Sequence, residues 1–194
     1  FGGTGFVGGH LAVIASKTYD VMVVGRGEAP RVLTAPEGPL AGVSYRRCNP
    51  VDPQAVGTLI RELQPAAVVN TAAISAIDYA EKHQEEAYQA NVVAAAAIAA
   101  AAQEAGARHV YLSSDAVFSG EHDGYSEEDT PEPVNYYGRT KAQAEEAVLR
   151  VCPGASIVRV SLILGFPATE AGGFLQGLRK KMQGDASIGA PDFE

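Results

Sequence analysis

Basic residues are scarce in this sequence: 15 Lys and Arg stand against 23 Asp and Glu, a formal charge of −8. Neutralising a phosphate backbone needs clustered cations, so this balance excludes a general nucleic-acid binder. Cysteine is scarcer still. Cys48 and Cys152 can make no disulfide framework and, without histidines close by in sequence, no zinc site. They are expected to be buried free thiols, in keeping with a reducing cytoplasm. His10, His83, His109 and His122 stand singly and show no metal-ligand spacing, so no metal is expected. No apolar run reaches the roughly 18 residues of a membrane span; the longest candidate, residues 92–102, is mostly alanine. No charged-then-apolar leader opens the sequence. What is present, 46% hydrophobic and 20% charged residues, is the balance of a globular cytoplasmic protein without internal repeats.

The 194 residues open on Phe1-Gly2-Gly3-Thr4-Gly5, already inside a glycine-rich turn. Residues 6–16 then carry Phe6, Val7, Leu11, Val13 and Ile14 at near-helical spacing. Val21-Met22-Val23-Val24 is too short for a helix and reads as a buried strand. Residues 31–42 read as a loop and residues 43–48 as a strand. Asp52-Pro53, N-cap and first helical position, opens a helix that runs to about Leu63. Ala67-Val68-Val69-Asn70 is the next strand, and residues 85–105 are one long helix closed by Gly106. A strand over 109–113, an acidic loop over 120–133, a helix over 135–151 and a strand over 157–160 follow. Its acids Glu121, Asp123, Glu127, Glu128 and Asp129 read as a solvated surface. One more helix is expected over 172–183. Strands alternating with helices predict βαβ crossovers: an α/β fold with a Rossmann-like, doubly wound parallel sheet.

Gly2, Gly5 and Gly8 form G-x-x-G-x-x-G at the start of the first helix. Glycine allows positive φ in a tight turn, and its missing Cβ lets a pyrophosphate approach the backbone. The phosphates then meet unpaired N–H groups at the positive end of the helix. A residue about 20 positions on, after the second strand, tells the two nicotinamide dinucleotides apart. Gly25 and Arg26 occupy that place. An arginine there favours the 2′-phosphate of NADP(H), while Glu28 nearby keeps NAD(H) open.

Tyr137 and Lys141 stand four apart in a predicted helix and therefore share a face. A free phenol titrates near pH 10; an ammonium beside it favours the phenolate, bringing the group closer to acid–base work near neutrality. Ser113 and Ser114 end a strand at the carboxyl edge of the sheet, where such folds bind ligands, and a hydroxyl there could hold a carbonyl oxygen.

Taken together, the glycine turn, Asn70-Thr71-Ala72-Ala73, Asn91, Ser114 and Tyr137-x-x-x-Lys141 resemble the extended short-chain dehydrogenase/reductase superfamily in order and spacing. Within it the chain is most similar to dTDP-4-dehydrorhamnose reductases. Ser113-Ser114-Asp115-Ala116-Val117-Phe118 resembles their Ser-Thr-Asp-Tyr-Val-Phe, and Pro133-Val134-Asn135-Tyr136-Tyr137-Gly138-Arg139-Thr140-Lys141 their Pro-Leu-Asn-Val-Tyr-Gly-x-Thr-Lys. Ala76-Ile77-Asp78-Tyr79-Ala80-Glu81 is similar to their Ala-Val-Asp-x-Ala-Glu. The resemblance spans about residues 1–165. It implies NADP(H)-dependent reduction of the 4-keto group of a nucleotide-activated 6-deoxy sugar. Tyr137 would protonate the C4 oxygen, Lys141 would lower the Tyr137 pKa and hold the nicotinamide ribose, and Ser114 would hydrogen-bond the substrate oxygen. The implied cofactor set is Gly2, Gly5, Phe6, Val7, Gly8, Arg26, Asn49, Ala72, Ala73, Asn91, Tyr137 and Lys141. The implied substrate set is Ser114, Asp115 and Ala116.

Some positions depart from the pattern. Ala116 replaces a tyrosine beside the sugar, residues 160–165 lack the tryptophan of a Thr-Ser-Trp-Val-Tyr-Gly segment, and Asn49 stands for an aspartate near the adenine. The lost aromatic surface leaves the choice of sugar nucleotide open. Two other readings share the resemblance: a sugar-nucleotide epimerase or dehydratase, and a non-catalytic regulatory subunit like that of methionine adenosyltransferase. Dehydratases follow the hydroxyl residue with Asp-Glu, where this chain has Asp115-Ala116. A homodimer is left open. The expected domains are a dinucleotide-binding unit with the catalytic residues over 1–165 and the start of a small substrate domain over 166–194. The strand expected before Gly2 is absent from the sequence, so a trimmed piece of a longer enzyme is the expectation.

Overall fold

A computed structural model of the protein describes residues 1–35 and 37–169, together with 175, 177 and 179. Helix α1 (Phe6–Ala15) leaves the glycine turn and leads to strand β1 (Met22–Gly25). A single turn α2 (Arg31–Thr34) interrupts the segment expected as loop, and β2 (Ser44–Arg47) follows. Helix α3 (Pro53–Leu63) starts where its sequence signal put it. Asp52 Oδ1 accepts from the amides of Gln54 at 3.0 Å and Ala55 at 3.1 Å, and Pro53 has no N–H to satisfy. Strand β3 (Ala67–Asn70) is followed by two short helices, α4 (Ile77–Lys82) and α5 (Gln84–Tyr88).

The long helix expected over 85–105 is interrupted. After α5 the chain makes a wide π-helical turn, Gln89–Val93, before α6 (Ala94–Glu104). Such turns occur mostly as single inserts at functional places, and this one carries the buried Asn91. Gly106 closes α6 with φ +68°: its amide reaches the carbonyl of Gln103, and that of Ala107 reaches Ala102, the double bond of a glycine-terminated helix. Strand β4 (Arg108–Ser114), a 3₁₀ turn (Asp115–Val117), α7 (Tyr136–Val151) and β5 (Ser156–Val160) complete the described elements. The helix expected over 172–183 lies outside the described residues, apart from isolated positions.

All strand pairs among the described residues are parallel. β1 pairs with β2, and β3-β4-β5 form a second ladder in which Asn70 lies opposite Tyr111 and Ser113 opposite Arg159. Phe1 and Gly2 join the two: the Phe1 nitrogen donates to Val69 O at 2.8 Å, the Gly2 amide to Val24 O at 3.0 Å, and the Thr71 amide to Phe1 O at 3.0 Å. The order across the molecule is therefore β2, β1, residues 1–2, β3, β4, β5. Successive strands are added in opposite senses on either side of residues 1–2, which is the topological switch point where doubly wound sheets bind ligands.

Successive strand residues point to opposite faces. Val24 and Val68 pack with Val56, Ile60 and Ile98 of α3 and α6, whereas Val23 packs with Ala12 of α1 and with Leu33 and Leu40. Tyr111 of β4 lies with Ala95 and Ala99 of α6 and Ala144 and Val148 of α7. Cys48 and Cys152 are free and buried in these layers. Replacing Asp52 with alanine removes both cap bonds of α3 and should lower stability by about 1 kcal/mol, read as a shift of the urea midpoint at unchanged slope.

Candidate active site

The glycine turn works by backbone packed on backbone. Gly2 has φ +80°, and a Cβ there would lie 2.6 Å from the Ala72 nitrogen. A Cβ on Gly8 would run into the Gly2 carbonyl and the Thr71 hydroxyl. Only glycine lets α1 begin this close to the carboxyl ends of β1 and β3. Gly5, the N-cap, has no side chain with which to satisfy the first-turn amides of the helix, so that positive end stays open to an anion. It faces a cleft lined by Gly2, Gly5, Gly25, Arg26, Val51 and residues 71–74.

Gly2, Gly5, Arg26, Ala72 and Ala73 thus come together. Phe6 and Val7 give this end of α1 its first turn; the Phe6 ring itself packs edge-on against His10, 5.3 Å between centroids. Asn49 does not line the cleft, although Cys48, Pro50 and Val51 do. Its carboxamide accepts from the Val51 amide at 3.3 Å. Glu28 is paired with Arg47 at 2.9 Å, and Arg47 also donates to the Arg26 carbonyl at 3.0 Å. The acid that competes with Arg26 in the sequence is thereby neutralised by a neighbour.

The second half of the site is built where β4 ends. Ser114 caps the 3₁₀ turn, accepting from the Ala116 amide at 3.2 Å and donating to Asp115 Oδ1 at 3.1 Å. α7 arrives at the same place because residue 138 is glycine; a Cβ there would run into the Ala116 carbonyl. The start of α7 is held twice. Asn135 accepts from the Gly138 amide at 2.8 Å, and Glu81, from α4, accepts from the Tyr136 amide at 2.6 Å. Tyr137 is thereby set beside Ser114. Partial burial pushes its phenol above the usual value, the Ser114 hydroxyl pulls it back, and the Asp115 charge pushes it up.

Lys141, one turn on, is 2% exposed. Its Nζ donates to Tyr111 Oη at 2.7 Å and to the Leu112 carbonyl at 2.6 Å. Burial lowers its pKa to about 7, against the opposing pull of Glu145. Asn91 ties the two halves together. Its side chain accepts from the Ile74 amide at 2.7 Å and donates to the Ile74 carbonyl at 3.1 Å and to Thr140 Oγ1 at 2.9 Å. Thr140 in turn donates to the Tyr137 carbonyl at 2.7 Å. Among the described residues, no group of His, Cys, Asp and Glu is arranged to hold a metal.

This site sits in a chain that matches the RmlD substrate binding domain model over residues 1–189. The chain belongs to that family. It is 41% identical over 113 residues to dTDP-4-dehydrorhamnose reductase of Salmonella typhimurium, covering 58% of this chain and 38% of that protein. It is 40% identical over 122 residues to methionine adenosyltransferase 2 subunit beta of Danio rerio, covering 62% and 37%. The chain spans about two-fifths of the length of these relatives. Its fold superposes with a TM-score of 0.70 on dTDP-4-dehydrorhamnose reductase from Bacillus anthracis in complex with NADP, at 28% identity over 84% of this chain and 59% of that one. A UDP-Glc/GlcNAc 4-epimerase from Campylobacter jejuni shares the fold at a TM-score of 0.72 and 21% identity. The chain thus belongs to the RmlD family within the extended short-chain dehydrogenase/reductase superfamily and has the Rossmann-type architecture.

Several site residues of this RmlD-family chain carry no role in the sequence reading. Tyr111 was readable only as one residue of a strand, and Glu81 only as part of a resembling motif. Glu145 holds Arg159 through both carboxylate oxygens, the closest contact 2.7 Å, and the Arg159 guanidinium lies over the Phe118 ring at 4.9 Å. The spacing Lys141-x-x-x-Glu145 was the available signal; the arginine that answers it comes from another strand.

Lys141 makes stability depend on pH. Unfolded, it keeps its proton to about 10.5; folded, it loses it near 7. Between those values the unfolded state binds the extra proton, so this residue makes stability rise with pH. The raised phenols of Tyr111 and Tyr137 act in the opposite sense only above pH 10, where the unfolded chain ionises first. Urea unfolding at pH 7 and pH 9.5 should therefore show a smaller gain in stability for Lys141→Met than for the parent.

Proposed function

We propose that this chain carries the cofactor-binding and catalytic residues of an NADP(H)-dependent reductase. Its substrate is the 4-keto group of a nucleotide-activated 6-deoxy sugar. One observation carries the reading: Ser114, Tyr137 and Lys141 gather at the carboxyl end of β4, tied through Thr140 and Asn91 to Ile74 in the lining of a cleft floored by a glycine turn. The cleft residues suit a dinucleotide. Gly2 and Gly8 let the turn pack tightly against Thr71 and Ala72, the first turn of α1 would offer amides to a pyrophosphate, and Arg26, exposed on the cleft, would meet a ribose 2′-phosphate. The NADP complex of the Bacillus anthracis relative supports the choice of cofactor.

Bound NADPH supplies the hydride; the remaining roles belong to side chains of this chain. Tyr137, kept protonated by its partial burial, holds the proton that the C4 oxygen takes as the carbonyl becomes a hydroxyl. Ser114, whose single O–H rests on Asp115 Oδ1, would turn it to the same oxygen when substrate binds. Lys141 adds positive charge on the same helix face. Asn91 and Thr140 keep α7 and the loop after β3 in fixed relation.

A second reading, a non-catalytic NADP-binding regulatory subunit, is favoured by the 37–40% identity to methionine adenosyltransferase 2 subunit beta proteins. NADPH oxidation with a panel of nucleotide-activated 4-keto-6-deoxy sugars separates the two. Turnover of one of them supports the reductase; tight NADPH binding without turnover of any supports the regulatory subunit and overturns the enzyme. In an active protein, Tyr137→Phe should lower kcat by about 10²- to 10⁴-fold with NADPH affinity kept. Arg26→Ala should weaken NADPH by about tenfold or more and leave NADH affinity within about twofold, both read by fluorescence titration.

A further inference from the structure

The buried side of Lys141 is held closely. Tyr111 is fully buried on β4, among Val92, Ala95, Ala144 and Val148. Phenylalanine would fill the same space without a hydroxyl to satisfy. That hydroxyl is used: it accepts from Lys141 Nζ at 2.7 Å, beside the 2.6 Å bond to Leu112 O. Burial holds the phenol far above its usual pKa, so Tyr111 stays neutral at any working pH.

An ammonium has three donors on a rotating head. With two of them fixed by acceptors in different directions, rotation about Cε–Nζ stops and the third N–H has one direction. With only Leu112 O left, the head could swing about a single bond. The groups facing Lys141 explain why the phenol takes this part. Tyr111 on β4 and Glu145 on its own helix bear on Lys141 directly; Tyr137 bears on Tyr111, Arg159 of β5 on Glu145, and Asp115, in the turn after β4, on Tyr137. Glu145 would be the natural partner four residues on, but Arg159 grips both of its oxygens. Lys141 is thereby left to a neutral phenol.

We propose that Tyr111 is a positioning residue of the reaction, fixing the direction in which the Lys141 ammonium addresses Tyr137 and the bound cofactor. The proposal rests on the assignment of Tyr137 and Lys141 as the working pair, and its test separates the two. Tyr111→Phe in the full-length protein keeps the packing and removes one oxygen. The Lys141 titration is followed by NMR of ¹³Cε-labelled lysine, its signal identified by loss in Lys141→Met. The oxygen favours the charged ammonium, so its removal should lower the Lys141 midpoint, by about one pH unit for one charge-assisted bond. In steady-state assays kcat should fall about tenfold with KM for the sugar nucleotide within about twofold, and the kcat–pH profile should move with the Lys141 midpoint. Tyr111→His, which keeps a ring acceptor, should recover part of both effects and serves if the phenylalanine variant folds poorly. An unchanged Lys141 midpoint in the folded variant, or a moved midpoint with kcat unchanged in an active enzyme, overturns the proposal. If the parent protein turns over no sugar nucleotide, the reductase reading fails and the catalytic role of Tyr111 with it. An unmoved midpoint beside normal parent turnover sinks the Tyr111 proposal alone.

Discussion

Two backbone-to-backbone approaches decide where everything else in the site can be. At one, Gly2 and Gly8 bring the start of α1 against Thr71 and Ala72; at the other, Gly138 brings the start of α7 against the carbonyl of Ala116. Neither approach tolerates a Cβ, and side-chain rotation relieves neither, because main-chain atoms stand at each: Ala72 N and Gly2 O at the first, Ala116 O at the second. The cleft and the hydroxyl-bearing end of β4 are therefore fixed by sterics before any hydrogen bond is counted. The caps from Asn135 and Glu81, and the clamp from Asn91, then hold elements already brought together.

What was legible in the sequence is what depends on near neighbours along the chain. Asp52-Pro53 announces α3 because cap and first turn are adjacent, and Ala67–Asn70 reads as a strand because a short apolar run between Pro65 and Asn70 is too brief for a helix. The glycine turn, Ser114, Tyr137 and Lys141 are readable because their spacing reflects one element or one loop. The π-helical turn was not legible: local composition reads as continuous helix, and what answers the wider turn is the bond from Asn91 to Ile74, 17 residues away. Glu81 reaches Tyr136 across 55 residues, and Arg159 meets Glu145 through the packing of β5 on α7. No periodicity encodes such pairings.

The electrostatics of the site follow from how its charges are shared out. A lysine buried as deeply as Lys141 would be costly beside apolar groups alone. Here one carbonyl and one phenol take its donors, while the nearest carboxylate is committed to Arg159. The ammonium is left close to the point where proton loss and retention are balanced, and Tyr137 remains on the protonated side. A proton donor with a neighbouring group of adjustable charge is chemically suited to giving up its proton only when a substrate oxygen arrives. The same arrangement would survive in a protein that binds the dinucleotide and has no substrate, which is why fold and family membership leave enzyme and subunit as distinct readings.

α6 presents mostly methyl groups to its neighbours. Ala94, Ala95, Ala99, Ala101 and Ala102 are buried, and the helix touches α3 on one side and α7 on the other. Alanine has no side-chain rotamers, so such a surface has no soft layer in which displacement can be absorbed. α6 is thus a caliper set near the diameter of a bare helix, with Ile98 its one bulky buried side chain. It gauges the separation between α3, packed beneath the cleft of the glycine turn, and the helix that bears Tyr137.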